Sequence, residues 1–138
     1  MKNRFHSLPL MAMCLLVAGP ILLADEKPEV IPPGSIQVMR MVLCRDIKNY
    51  LPDQEITAAK VGETAVGWTQ IRSGLGPITI QHRWICENQT MGVSTLHIKG
   101  SPYKTWSRRT LTHAGRWRWQ VLDPAGTVLR ELAFTVIP

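Results

Sequence analysis

The chain has 138 residues, with 16 lysines and arginines against 10 aspartates and glutamates, a net charge of +6, and 45% apolar residues. That length supports one domain with a hydrophobic core and leaves no room for two comfortable ones. The positive excess is modest, and only its local clustering points to an anionic partner.

The first residues do not belong to the domain. Lys2 and Arg4 give a positive start, Leu8 to Leu23 is apolar, and Ala24 precedes Asp25-Glu26-Lys27. This is the three-part layout of a secretory signal peptide over residues 1–24, and it predicts export to the periplasm or the extracellular space. The alternative is a retained membrane anchor, which Pro9, Gly19 and Pro20 disfavour as a continuous spanning helix. Residues 25–35 contain Pro28, Pro32, Pro33 and Gly34 and read as a linker. Cys14 leaves with the signal. The exported part keeps Cys44 and Cys86, for which a disulfide is the expectation in an oxidising compartment; two buried free thiols are the alternative.

The domain spans residues 36–138. Ile36 to Ile47 reads as a first strand whose alternation breaks around Met39 to Val42, as at a bulge. Lys48 to Glu63 is polar and reads as a long excursion, with at most a short helix from Gln54 to Val61. Thr64 to Ile71 forms a second strand containing Trp68, closed by the Gly/Pro turn Ser73-Gly74-Leu75-Gly76-Pro77. Ile78 to Cys86 has the clearest period of two, with Ile80, His82, Trp84 and Cys86 on one face. Met91 to Lys99 returns, Tyr103 to Leu111 carries Trp106, and Arg116 to Leu122 puts Trp117, Trp119 and Val121 on one face. The Asp123-Pro124-Ala125-Gly126 turn leads into a last strand, Thr127 to Ile137. About seven short strands without an amphipathic helix predict an all-β, antiparallel, Ig/fibronectin-like β-sandwich. Trp68, His82, Trp84, Trp117 and Trp119 are its candidate core.

The ordered set His82-x-Trp84, Thr105-Trp106-Ser107 with basic residues following, Gly115-x-Trp117, the turn from Asp123 to Gly126, Val128-Leu129 and Phe134-x-Val136 resembles a bacterial family of exported or membrane-tethered domains known only as domain of unknown function 2914. The resemblance covers Met41 to Pro138. It implies an all-β domain, and a cysteine of that family is similar to Cys44. It implies no activity.

No enzyme, cofactor or metal chemistry is predicted. His82, His97 and His113 are dispersed, and no His-x-His, Cys-x-x-Cys or His-Glu-x-x-His spacing occurs. Ser107 lacks a Gly-x-Ser-x-Gly elbow, so a small hydrolase using His82 or His113 with Ser107 is an alternative that requires these residues to converge. The stronger reading gives His82 a structural bond to Ser107 or to backbone across the sandwich. No Asp or Glu lies between Glu87 and Asp123, whereas Lys99, Lys104, Arg108, Arg109, Arg116 and Arg118 do. Lys104, Trp106, Arg108 and Arg109 are therefore the candidate ligand-binding residues, suited to an acidic envelope protein, an anionic glycan or a lipid headgroup through cation–π and bidentate contacts. Trp106 divides between core and surface. Export makes nucleic acid an improbable partner. The predicted role is a non-catalytic exported binding or assembly module.

Overall fold

A computed structural model describes residues 34–138; the expected signal peptide and most of the linker lie outside the described residues. The described chain is all β, in two sheets stacked as a sandwich. Nine strands follow in order: β1 Ile36–Lys48, β2 Leu51–Glu55, β3 Ala58–Lys60, β4 Thr64–Ser73, β5 Ile78–Cys86, β6 Gln89–Ile98, β7 Tyr103–Thr110, β8 Gly115–Leu122 and β9 Val128–Ile137. The first sheet runs β2-β1-β4-β7 and the second β3-β9-β8-β5-β6. All neighbours pair antiparallel except β3 with β9. No helix of the described residues is long and apolar enough to cross a membrane.

Nine strands replace the expected seven because Lys48 to Glu63 is not an excursion and holds no helix. Lys48 pairs with Leu51 across a two-residue loop, and Asn49 and Tyr50 both take positive φ, 52° and 62°. Two successive left-handed residues give the turn whose twist matches a hairpin, and Asn tolerates that conformation well. The chain then turns once more and lays Ala58–Lys60 beside β9. The expected irregularity in the first strand is a register shift between Val38 and Arg40.

Between the sheets, β5, β8 and β9 contribute Ile80, Trp84, Cys86, Trp117, Trp119, Val121, Phe134 and Val136, while β1 and β4 contribute Met41, Leu43, Ala65 and Ile71. Trp84 and Trp119 stack with centroids 5.5 Å apart and planes 14° apart, and Phe134 meets Trp84 edge-on. Such contacts add about 1 kcal/mol each beyond the area they bury. Gly67 of β4 lies directly beneath this stack. A Cβ there would stand 2.5 Å from Cε2 and Cζ2 of Trp119, so only glycine fits.

Trp68 is also buried, but in a different place. It belongs to a second cluster with Val42, Cys44 and Val66 on the outer face of the first sheet. The β1–β2 hairpin folds back over that face: the Trp68 indole N–H donates to the carbonyl of Tyr50 at 2.9 Å, and Ile47 packs on the cluster. Met41 to Cys44 are consequently buried on both faces, which is why alternation disappears from the sequence there.

The same arrangement overturns the expected disulfide. Cys44 is on the outer face of the first sheet and Cys86 in the core lining of the second, and both are free thiols. Stacked sheets stand about 10 Å apart, beyond the reach of a disulfide. Cys44 Sγ–H instead points to the carbonyl of Val66 at 3.6 Å and Cys86 Sγ–H to that of Ala114 at 3.9 Å. Burial pushes both thiols up from their ordinary pKa. The expected outcome with a thiol-reactive disulfide reagent at neutral pH is negligible labelling of Cys44 and Cys86 in the native protein and full labelling of both in denaturant, with no mass change on reduction.

Candidate functional site

Two groups of residues carry the chemistry that the sequence singled out, and the sandwich separates them. The first is internal. His82 of β5 faces β4 and β7 across the core and is completely buried. Its Nδ1 lies 2.7 Å from Ser107 Oγ and its Nε2 3.3 Å from Thr69 Oγ1. Trp84 Nε1, which can only donate, reaches Ser107 Oγ at 3.3 Å. Ser107 therefore accepts from Trp84 and donates to His82 Nδ1, leaving the proton of the imidazole on Nε2 to be donated to Thr69. Thr69 in turn donates to the carbonyl of Thr105 at 3.4 Å. This relay ties β5 to both β7 and β4 and uses each polar group in turn. Desolvation holds His82 down to a pKa of about 3, so it is neutral at physiological pH. Trp119 meets the ring edge-on at 5.1 Å.

The second group is the basic one, and the period of two divides it. On β7, Lys104, Trp106 and Arg108 point to the outer face, following Trp68 and Val66 opposite them on β4, whereas Thr105, Ser107 and Arg109 point inward. The four candidates are thus not one surface. Trp106 is half-buried beside Trp68, with the ring of Tyr50 edge-on at 6.0 Å. Lys104 and Arg108 are exposed on either side of it. Arg108 lies 3.7 Å from Asp46 on the hairpin, a solvent-exposed pair of little energetic weight. Arg40 sits over Trp68 with its guanidinium carbon 5.6 Å from the ring centroid.

Beside Trp106, Asn49 and Tyr50 of the hairpin tip, Gln70 of β4, and Pro102, Tyr103 and Lys104 line a groove of about 560 Å³. Tyr50 is 70% exposed there. Sequence reasoning missed the hairpin side of this groove. Asn at the first position of a two-residue reversal was its only signal. A groove of equal volume on the second sheet holds Glu87, Arg116 and Arg118, and two of these three side chains are already engaged. Glu87 accepts from the backbone N–H of Arg116, and Arg118 pairs with Glu131. Among the described residues, no three His, Cys, Asp or Glu side chains gather where a metal ion would sit.

No curated protein matches this sequence. Among solved structures the chain is similar to a β-glucosidase from Listeria innocua in complex with glucose, with a TM-score of 0.48 and 11% identity. That likeness covers 75% of this chain and only 16% of the enzyme. Over residues 77–136, from the start of β5 nearly to the end of β9, the chain matches the family described as "Protein of unknown function (DUF2914)", the family that its tryptophan pattern resembles.

Proposed function

We propose that this protein is a non-catalytic, exported binding or assembly module of the bacterial envelope, which holds its partner on the outer face of the first sheet. One observation carries the reading: Tyr50, Trp106, Lys104 and Arg108 form an aromatic and basic surface beside an open groove, on a face that already has its own packed floor. Aromatic faces flanked by cations suit acidic partners. The order β1-β4-β7 against β9-β8-β5-β6, with β3 alongside β9, supports assigning the sandwich to the Ig/fibronectin-like group. Export rests on the N-terminal sequence pattern.

The hydrolase alternative finds less support. His82 and Ser107 are bonded to each other but sealed in the core, where no substrate reaches them. His113 is exposed on the β7–β8 turn and bonds Thr112 rather than Ser107. A second binding reading, an anionic glycan, draws on the groove itself, where the amides of Asn49 and Gln70 lie with Tyr50 and Lys104.

The test is capture of partners from envelope extract by the wild-type protein and by a Lys104→Ala/Arg108→Ala variant. The expected result is loss of most captured material with the variant; equal recovery of the same partners overturns the outer-face reading. Release of the captured material by soluble oligouronate, weakened in Tyr50→Ala, assigns the glycan as the partner.

A further inference from the structure

Both β6 and β7 are edge strands, each paired on one side only. Edges that stay single are ordinarily blunted by charge, proline or shortness. β7 carries Lys104, Arg108 and Arg109, β2 carries Pro52, Asp53 and Glu55, and β3 has three residues including Lys60. β6 alone has none of these devices. Its ten residues, Gln89 to Ile98, contain no proline and no Lys, Arg, Asp or Glu, and Val93 is 48% exposed. Its register with β5 shifts between Trp84 and Ile85, so the stretch open for another strand is Gly92 to Ile98, beyond that irregularity.

Arg109 marks what that strand would bring. It points inward from β7 and reaches across the opening between the sheets to lie on Gly92 of β6. A Cβ on Gly92 would stand 1.8 Å from Nη2 and 2.1 Å from Cζ of Arg109. Its Nε is buried without a partner, and among the described residues no carboxylate pairs with it. A guanidinium partly removed from water and lacking an anion is a costly arrangement that a carboxylate would relieve.

We propose that β6 is a strand-addition site for an extended segment of an acidic partner protein, with an Asp or Glu of that segment bonding to Arg109. The added strand would pair with the free edge of β6 through its backbone, and the residue opposite Gly92 would share the inner side with the guanidinium. A second copy of this chain fits less well, because its own β6 supplies no carboxylate and Arg109 would stay unpaired. The site goes beyond the outer-face reading and does not depend on it, since it lies at another edge and uses other residues.

The experiment measures binding of a fluorescein-labelled peptide of alternating threonine and valine with one central glutamate, beside a twin carrying glutamine, to the purified full-length protein. The glutamate peptide is expected to bind about tenfold or more tightly than its twin, as a charged hydrogen bond in a partly dry site would give. In Arg109→Gln that preference is expected to vanish while the glutamine peptide binds as before. Amide exchange in Gly92 to Leu96 is expected to slow on binding, a readout that needs no variant. Absence of binding, equal affinity of the two peptides for the wild type, or protection that spares β6 overturns the proposal. So does self-association without peptide that slows exchange in β6, which makes a second copy the occupant. Equal capture by wild type and Lys104→Ala/Arg108→Ala with intact peptide binding would overturn only the proposed function, and absent peptide binding beside variant-sensitive capture only this inference.

Discussion

Replacing Gly67 by alanine is expected to destabilise the domain by about 3 kcal/mol, read as a lower midpoint in urea with an unchanged slope. The added methyl would meet the six-membered ring of Trp119 at 2.5 Å, inside any real carbon–carbon contact. Whether such a clash is costly depends on what can yield. Trp119 cannot easily move: it is stacked on Trp84, its other neighbour His82 stands edge-on, and it is fully buried. Nor can Gly67 withdraw, because it is paired with Leu43 on one side and with Ser107 on the other. The sheets must therefore part locally. Gly100→Ala is the control. A Cβ there meets only Tyr103 Cδ2 at 3.9 Å, and the change should fall within about 0.5 kcal/mol. Trp119→Phe removes no hydrogen bond, since Trp119 Nε1 is buried without a partner. The Gly67→Ala/Trp119→Phe double variant should accordingly cost less than the sum of the single changes. Strict additivity would show that the two residues do not oppose each other.

Much of the second sheet was legible because its strands are buried on one face and alternate cleanly. Ile78 to Trp84 keeps its period, which ends where Trp84, Ile85 and Cys86 are all buried, and the strand runs over Ile78 to Cys86 as expected. The first sheet was less legible for a physical reason. Met41 to Cys44 pack against the core on one side and against the hairpin on the other, so every position is apolar or nearly so and the two faces cannot be separated by eye. That same ambiguity hid the fact that Cys44 points away from Cys86. The β2 and β3 strands were hidden because edge strands can be polar, and the turn from β1 into β2 uses Asn-Tyr where Asn-Gly would have been conspicuous.

The basic candidates illustrate a different failure. Arg108 and Arg109 share one basic run free of acids, yet adjacent residues of a strand must face opposite ways. The period of two already separated them, and the structure places one beside Asp46 and the other on Gly92. What no pattern could supply was Tyr50, whose ring completes the outer surface only because the hairpin folds over Trp68. Proximity that depends on a roof over a sheet is tertiary information.

His82 makes the stability of this domain depend on pH in a direction that follows from its enclosure. Its folded pKa, about 3, is below the ordinary 6.5 because the core disfavours the imidazolium. Between these values the unfolded chain binds a proton that the folded chain does not. Stability is therefore fully present above pH 6.5 and falls as pH drops toward 3, by up to about 1.4 kcal/mol per pH unit. A His82→Gln variant keeps an amide group to bond Ser107 and Thr69 but does not titrate. It is expected to be less stable than the wild type at pH 7.5, through imperfect packing beside Trp119, and to lose that disadvantage progressively as the pH falls. Between pH 7.5 and 5 the gap in unfolding free energy should close by about 2 kcal/mol. Contributions common to both proteins cancel in the difference. A gap that stays constant from pH 7.5 to 5 would mean that His82 takes up its proton in the folded state. The relay from Trp84 to Thr105 would then have to be open to water, and the case against a catalytic His82 would weaken with it.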